Sequence, residues 1–188
     1  MLAIPGLIGF ERGIDLRAQE SGRKQENGKP ALHTAIMTRN ELVIRPAERA
    51  ELAAVLELLA QDSMSETPEA AGPTAGHLSA FETMSSHPDH GIVVGTLEGR
   101  VVATLQLSFI PGLSHDGRWR AQIEGVRVDR DLRGSGIGTA MIEWAIGRAR
   151  ERGCWRIELT SNQAREAAQR FYSRLGFRAS HVGMKLQL

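Results

Sequence analysis

One stretch near the middle of the chain constrains the fold more than any other, because its periodicity changes across three closely spaced glycines. Residues 123–128, Ile-Glu-Gly-Val-Arg-Val, are rich in β-branched side chains and predict a strand. From Ile137 onwards, apolar residues recur at helical spacing and predict a helix. Gly134, Gly136 and Gly138 lie at the junction. The sequence therefore predicts a strand, a glycine loop and a helix.

A junction of this kind favours the binding of phosphate. Glycines tolerate positive φ and let a ligand approach the backbone, while the first amides of a helix lack intrahelical acceptors and carry its positive dipole end. Two familiar phosphate motifs fit poorly. The dinucleotide pattern requires Gly-x-Gly-x-x-Gly, and the nucleotide P-loop requires a Lys before the position of Thr139. A glycine-rich turn without a ligand stays open as an alternative.

The flanking sequence predicts a mixed order of strands and helices. Because a helix joins them, the strands over 119–129 and 154–160 must be parallel. Gly125 predicts a bulge or a backbone position approached by ligand. The predicted elements are a strand over 42–47, helices over 48–61 and 74–86, an antiparallel hairpin over 91–110, a strand over 119–129, a helix over 137–152, a strand over 154–160, a helix over 165–175 and a terminal strand or broken hairpin over 177–188.

Two motifs in this order resemble those of the GNAT superfamily of N-acetyltransferases. The run Arg-Gly-Ser-Gly-Ile-Gly at 133–138 is similar to the Arg/Gln-x-x-Gly-x-Gly/Ala loop that holds the pyrophosphate of acetyl-coenzyme A. Phe-Tyr-Ser-Arg-Leu-Gly-Phe at 171–177 is similar to the Tyr-x-x-x-Gly-Phe that ends the family's last helix. Residues 159–172 are also similar to the subgroup that includes the aminoalkylphosphonate acetyltransferases. The resemblance implies an α/β acyl-CoA N-acyltransferase fold over residues 41–188, with a mixed, mostly antiparallel sheet, a splayed parallel strand pair and flanking helices.

The same resemblance assigns acetyl-coenzyme A as co-substrate and supplies its contacts. The backbone around Val126, Arg127 and Val128 would bind pantetheine, with the Val126 amide donating to the thioester oxygen, and the Arg127 side chain is expected on the opposite face. Many family members carry an Asn facing pantetheine where this chain has Arg165, so Asn162 would reach the cofactor instead. Arg165 would contact a cofactor phosphate or cap the last helix. The residues that would hold the pyrophosphate are Arg133, Gly134, Ser135, Gly136, Ile137, Gly138 and Thr139.

Two further residues are candidates for proton transfer. Tyr172, the only tyrosine, matches the family tyrosine that donates a proton to the departing thiolate. Glu124 stands where many members place a carboxylate, and it would accept a proton from the substrate ammonium or attract that cation; a solvent-facing Glu on a half-exposed strand is an equally open interpretation. The resemblance thus predicts direct acetyl transfer to a primary amine within a ternary complex. A non-catalytic module that binds or senses coenzyme A is the alternative.

Composition limits the remaining classes of function. A formal net charge of +1 gives no field that would favour nucleic acid or an anionic membrane, and no apolar run approaches the roughly 20 residues that span a bilayer. The single cysteine, Cys154, excludes an internal disulfide, and the six histidines lack metal-ligand spacing. We therefore expect a cytoplasmic protein without a metal. Its partner would be a small-molecule amine or a protein amine, bound near residues 63–90 and 111–118.

Both ends of the chain carry separate expectations. Residues 1–40 are predicted to be a flexible N-terminal extension, because the mostly polar segment 11–29 has no sustained periodicity. An arm that covers the active site or a partner subunit is the functional alternative. Residues 177–188 are short for the family's closing hairpin. One long strand covered by a second subunit, and hence a homodimer, is a further hypothesis.

Overall fold

The computed structural model describes residues 14–15, 41–61 and 72–187, and its centre is a six-stranded sheet. The sheet order follows the chain, so each strand lies beside its sequence neighbour. All pairs are antiparallel except the last, which is parallel. This confirms the predicted fold class. The strands are β1 (Ile14–Asp15), β2 (Val43–Pro46), β3 (His90–Leu97), β4 (Arg100–Ile110), β5 (Arg120–Val128) and β6 (Arg156–Leu159).

Helices cover both faces of the sheet. The helices are α1 (Leu52–Ala60), α2 (Ala75–Ser86), the four-residue turn α3 (Ser114–Gly117), α4 (Ile137–Glu151) and α5 (Glu166–Arg174). Val93 belongs to a core cluster with Met141 of α4. The next residue, Val94, is also fully buried but points to the other face, because side chains alternate along a strand. That second face is packed by α1, which contacts β4 and β5, and by α2, which contacts β3.

The buried side chains of α1 include one that the predicted face leaves out. The sequence pattern places Leu52, Val55, Leu56 and Leu59 on one face; the first two are buried and the last two are partly buried, and Leu58 is buried as well. Residues Arg49–Glu51 form a 3₁₀ turn before the helix. The predicted start of α2 is confirmed. Thr74 caps the helix through its side chain, which accepts a hydrogen bond from the His77 amide.

The C-terminal segment departs from the prediction. Residues 177–187 form no strand, whereas a strand or broken hairpin is predicted there, and Leu188 lies outside the described residues. A strand needs a neighbour to satisfy its N–H and C=O groups, and within the described part of this single chain none pairs with the segment. Its apolar side chains Val182, Met184 and Leu186 are 81%, 94% and 86% exposed.

The predicted N-terminal extension lies almost entirely outside the described residues. Within 1–40, only β1 is described, and it pairs with Val43 and Ile44 of β2. The flexibility of the extension therefore stays a prediction. None of the helices described above combines the length and the apolarity needed to cross a bilayer.

Candidate active site

The parallel strand pair at the edge of the sheet opens after four residues. β5 pairs with β6 only from Arg120 opposite Arg156 to Ile123 opposite Leu159. β6 ends at that point, whereas β5 continues along β4 to Val128. The side of β5 over residues 124–128 that faces away from β4 is therefore not covered by β6. We call the space beside it the strand gap.

The backbone of β5 presents polar groups to the strand gap. Asp129 donates its amide to the Val102 carbonyl at 2.8 Å. Asp129 and Val102 therefore form a hydrogen-bonded pair. Because hydrogen-bonded and non-hydrogen-bonded pairs alternate in an antiparallel ladder, the next pair, Ala103 and Val128, is not hydrogen-bonded. The peptide groups of such a pair point away from each other, so those of Val128 point into the strand gap. An extended ligand in the gap could pair with them like an additional strand.

Two arginine side chains bind carbonyl groups at this edge. Nη1 of Arg127 donates to the Val126 carbonyl at 2.9 Å, and Nε of Arg133 donates to the Val128 carbonyl at 3.3 Å. These carbonyls are therefore occupied by donors of the chain itself. The interactions that the edge still offers an incoming ligand are mainly those of backbone amides.

The glycine loop joins β5 to α4 through the 3₁₀ turn Arg130–Leu132. Gly134 and Gly136 have φ values of +83° and +91°, in the left-handed region that favours glycine, and Gly136 is the N-cap of α4. A Cβ at either position would meet no atom within 4 Å, so the space above the loop is open. The first amides of α4, those of Ile137, Gly138 and Thr139, lack intrahelical acceptors by helix geometry. This open loop with free amides fits the pyrophosphate of a cofactor.

Contacts beneath the loop hold its shape. The Ser135 hydroxyl donates to the Leu132 carbonyl at 2.6 Å. A Cβ at Gly138 would touch Val128 and the ring of Phe171, each at 3.5 Å. The glycine loop, β5 and α5 therefore meet at one point, which brings the two sequence motifs together.

Glu124 lies at the start of the strand gap, next to a bulge. The register of β4 and β5 shifts after Gln106 and Glu124, and the following Gly125 has a φ of +59°. A Cβ at Gly125 would lie 3.3 Å from Leu59 of α1, so this part of β5 faces α1. Gln106 Nε2 donates to Glu124 Oε2 at 3.3 Å. The Glu124 carboxylate is exposed to solvent and held by one neighbour.

Tyr172 is half-buried in an aromatic group on α5. Its ring packs edge-on against Phe171 and Phe177, with centroid distances of 5.1 and 5.8 Å. Burial raises the pKa of the Tyr172 phenol, while the positive charges of Arg165 and Arg127 oppose that rise. The phenol therefore stays protonated at neutral pH and has two cations in its surroundings.

Arg165 and Asn162 occupy different positions at the start of α5. Arg165 is the N-cap residue of α5, the position that the capping alternative gives it, although its side chain makes no capping hydrogen bond. Asn162 Oδ1 accepts from the Ala164 amide at 2.9 Å, which fixes the turn before α5. Arg165 and Tyr172 lie seven positions apart and thus on one face of the helix. Aromatic side chains in helices point toward the N-terminus, which brings the phenol toward Arg165.

Some predicted neighbours of the site lie elsewhere. The loop over 111–118 connects Ile110 to Arg120, at the end of β5 opposite to the glycine loop. There His115 stacks on Trp155 with a centroid distance of 4.3 Å. Of the other predicted acceptor segment, residues 63–71 lie outside the described residues. Sequence reasoning missed Gln106, because only the register with its bulge brings it opposite Glu124.

Two other kinds of site are a metal centre and a nucleophilic cysteine. In the ranges 14–15, 41–61 and 72–187 there is no group of three or more His, Cys, Asp or Glu side chains that could hold a metal ion. Burial raises the pKa of the Cys154 thiol. Because a thiolate is the nucleophilic form of cysteine, this disfavours a catalytic role.

Comparisons with known proteins identify relatives. The acetyltransferase (GNAT) family matches residues 53–177. The chain is 32% identical over 152 residues to glucosamine 6-phosphate N-acetyltransferase of Trypanosoma brucei brucei, covering 79% of this chain and 97% of the relative. It is 36% identical over 83 residues to aminoalkylphosphonate N-acetyltransferase of Salmonella typhimurium, covering 44% and 53%. A crystal structure described as a transcriptional regulator from Bacillus halodurans C-125 superposes with a TM-score of 0.75 at 37% identity, covering 78% and 99%.

Proposed function

The chain belongs to the GNAT family of acetyltransferases, and we propose that it acetylates a small primary amine that carries a phosphate or phosphonate group. Family membership makes it an acetyl-CoA dependent N-acetyltransferase with an amine as acceptor. The proposal adds the class of acceptor and a mechanism, which is direct transfer within a ternary complex of enzyme, acetyl-CoA and amine.

One observation carries the mechanism: a carboxylate and a phenol stand on two elements that border the strand gap. Glu124 follows the last residue of β5 that pairs with β6, and Tyr172 stands on α5, where its neighbour Phe171 and Val128 of β5 each lie 3.5 Å from the position that a Cβ on Gly138 would take. Direct transfer needs a proton removed from the ammonium and a proton given to the thiolate. Glu124 would accept the first, directly or through water, and Tyr172 would donate the second. This pair supports direct transfer without an acyl-enzyme intermediate.

The backbone around the gap would orient the cofactor. The pantetheine arm would pair with the backbone amides of Val126 and Val128, and the Val126 amide would polarise the thioester carbonyl. A backbone donor aimed at a developing oxyanion stabilises the tetrahedral intermediate. The pyrophosphate would rest on the glycine loop, where the amides of Ile137, Gly138 and Thr139 and the α4 dipole attract negative charge.

Positive charge near Tyr172 would support departure of the thiolate. Arg165 and Arg127 are cationic, and both act on the Tyr172 phenol. A cation close to the sulfur stabilises negative charge as it develops there. We therefore assign Arg165 to leaving-group stabilisation, rather than to the pantetheine contact that an Asn makes in many family members.

The acceptor class rests on the two N-acetyltransferases named above. Both of their names combine an amine with a phosphoryl group, as glucosamine 6-phosphate and as aminoalkylphosphonate. An acceptor of this type carries an anion and a cation at a fixed separation. Recognition of the anion would hold the ammonium beside Glu124.

The experiment measures thiol release from acetyl-CoA with matched pairs of amines. One pair is glucosamine 6-phosphate and glucosamine, and the other is an aminoalkylphosphonate and the corresponding alkylamine. We expect kcat/KM to be on the order of 100-fold higher for the phosphorylated member, because hydrogen bonds to a charged group contribute about 1.5–3 kcal/mol. Equal values within each pair would contradict the acceptor class. Coenzyme A binding without turnover on any amine would favour the non-catalytic module.

We propose a cytoplasmic location, because the single cysteine is half-buried Cys154 and forms no internal disulfide. We also propose that the chain acts as a homodimer.

A further inference from the structure

Two arginines and a glutamate form a cluster on the sheet face that also carries Glu124. Arg120 and Glu124 are four residues apart along β5, so their side chains lie on the same face. The parallel register places Arg156 of β6 opposite Arg120, with Glu158 two residues further along β6. Ile123, which has the other orientation, belongs to the core cluster on the α4 side. The cluster and Glu124 therefore share the face opposite to α4.

Glu158 holds the two guanidinium groups of this cluster. Arg120 Nε donates to Glu158 Oε1 at 2.8 Å, and Arg156 Nε lies 2.9 Å from Glu158 Oε2. Within the described part of the chain, no hydrogen bond is donated by an Nη atom of either arginine. Each carboxylate oxygen thus binds the side of one guanidinium and leaves its terminal N–H groups to other acceptors. We call Arg120 and Arg156 the arginine pair.

The arginine pair is accessible to solvent and has an excess of positive charge. The side chains of Arg120, Arg156 and Glu158 are 32%, 40% and 35% exposed. Two guanidinium groups and one carboxylate leave one positive charge uncompensated. The Arg156 guanidinium also lies over the Trp155 ring, 4.7 Å from its centroid, which restrains its plane. Guanidinium groups oriented in this way favour the bidentate binding of phosphate.

We propose that the arginine pair binds the phosphoryl group of the amine acceptor, an inference that rests on the proposed function. The Cα atoms of Arg120 and Glu124 are about 13 Å apart, at about 3.3 Å per residue of strand. Side chains stand roughly perpendicular to a sheet, so the charged ends stay well separated. The span suits an ammonium and a phosphoryl group separated by a sugar ring better than a pair joined by a short alkyl chain. Gln122, between them on this face, offers a polar side chain to sugar hydroxyl groups.

The arginine pair lies far from the loop that would bind the cofactor pyrophosphate. Arg120 is the first residue of β5, whereas the glycine loop follows the last residue, Val128, through a 3₁₀ turn. Glu124 lies midway along the strand. The cofactor pyrophosphate and the phosphoryl group of the acceptor would thus bind on either side of Glu124, and they would not compete for the same cations.

Matched variants, assayed with glucosamine 6-phosphate and with glucosamine, test the arginine pair. Arg120→Gln and Arg156→Gln should each lower kcat/KM for the phosphorylated amine by at least about 10-fold more than that for glucosamine, because each removes hydrogen bonds to a charged group. Arg150→Gln, which removes an exposed arginine of α4, is the control and should change neither value. A wild-type preference for the phosphorylated amine that persists in both variants would overturn the arginine pair and leave the acceptor class intact. Equal wild-type values for the two amines would contradict both.

The variant Glu158→Gln separates anion binding from a purely structural ion pair. Inorganic phosphate is the probe, measured as an inhibitor that competes with glucosamine 6-phosphate. Loss of the carboxylate removes a negative charge beside the anion, while the amide oxygen still accepts from an arginine, so the inhibition constant should fall. Arg156→Gln should raise it by about 10-fold. Shifts of the same sign in both variants, or phosphate that competes with acetyl-CoA rather than with the amine, would refute the proposal.

The span between Arg120 and Glu124 is tested by the choice of acceptor. In the wild type, kcat/KM should be higher for glucosamine 6-phosphate than for a short-chain aminoalkylphosphonate. Arg120→Gln should reduce this difference, because it removes a contact that only the longer acceptor makes together with Glu124. A wild type that prefers the short-chain phosphonate would rule out recognition across this span.

Discussion

Gln106 Nε2 donates a hydrogen bond to Glu124 Oε2 at 3.3 Å, across β4 and β5 and directly before the bulge at Gly125. The contact holds the candidate base at the start of the strand gap, on the face that α1 covers. An amide donor can orient a carboxylate without neutralising its charge. Gln106 is therefore a positioning residue for Glu124, and the two side chains should differ in the effect of their removal.

Replacement of Glu124 by Gln should slow acetyl transfer while cofactor binding stays unchanged. The amide keeps the shape of the side chain but cannot accept the ammonium proton, so kcat should fall by about 100-fold. Steady-state kinetics and calorimetric binding of coenzyme A measure the two effects. Gln106→Leu, the matched variant, keeps the carboxylate and should lower kcat by less than about 10-fold. Equal effects of the two changes would argue against Glu124 as the base.

Replacement of Tyr172 by Phe should remove the proton donor and preserve the fold. The ring stays packed between Phe171 and Phe177, so the melting temperature should change little. Loss of proton donation to the thiolate should lower kcat by about 100-fold. Thiol release with saturating acetyl-CoA, measured beside thermal unfolding, separates the two effects. Unaltered turnover would exclude Tyr172 as the general acid.

Replacement of Arg165 by Gln should shift the pH dependence of the reaction. Burial already raises the pKa of Tyr172, and Arg165 opposes that rise. Removal of this positive charge disfavours the phenolate, so the pKa of Tyr172 increases further and the basic limb of kcat moves to higher pH. Arg165→Lys should restore much of the wild-type profile, because it restores the charge.

The matched control for this change is Arg174→Gln on the same helix. Arg174 is exposed and is not among the charges that act on Tyr172. We expect its pH profile to match that of the wild type. An identical shift in both variants would mean that general surface charge, and not Arg165, sets the profile.

Replacement of Gly136 by Trp should abolish cofactor binding. The residue has a φ of +91°, and the open space above it is where the pyrophosphate would lie. Left-handed backbone costs other residues about 1–2 kcal/mol, and the indole would fill the cradle as well. Calorimetry with coenzyme A should show at least about 100-fold weaker binding. Gly136→Ala, which imposes the strain without the bulk, should weaken it less.

Gly147→Ala serves as the control for glycine replacement. A Cβ at Gly147, which lies inside α4, would meet no atom within 4 Å, and the φ of this residue is not positive. Alanine is favoured over glycine in a helix by about 0.5–1 kcal/mol, so the variant should be more stable than the wild type. Its affinity for coenzyme A should be unchanged. Weakened binding in this variant would point to an indirect effect of α4 rather than to the loop.

Replacement of Asp129 by Asn should remove a pH-dependent contribution to stability. A hydrogen bond from Arg100 lowers the pKa of Asp129 below its ordinary value of 3.8, and Asp129 also accepts from the Asp131 amide at the turn that enters the glycine loop. A depressed pKa in the folded state stabilises the protein above the unfolded pKa, and this stabilisation is lost as the pH falls through the folded value. Because solvent screens this pair, urea unfolding should show the wild type only about 0.5–1 kcal/mol more stable at pH 7, with the difference vanishing toward pH 2. A difference that does not depend on pH would exclude the ion pair as its source.

Local patterns were sufficient for most of the fold. The hairpin turn follows from Gly99, the start of α2 from Thr74 and the bulge of β5 from Gly125, because each of these residues acts through its own backbone or through the next few amides. The two sequence motifs likewise predicted the glycine loop and the end of α5. The burial of Leu58 on α1 could not be predicted from spacing alone, because it depends on how the helix packs on the sheet.

The sequence alone determined the succession of a strand, a glycine loop and a helix. The positive φ values of Gly134 and Gly136 in the loop are a local requirement that glycine meets. Only the tertiary structure decided that Gln106 contacts Glu124 and that the charges of Arg165 and Arg127 act on Tyr172. Both depend on the register of strands and the placement of helices. It also decided that residues 177–187 do not form a strand within one chain. Alternating apolar residues specify a face, but a strand forms only where a neighbouring edge satisfies its backbone.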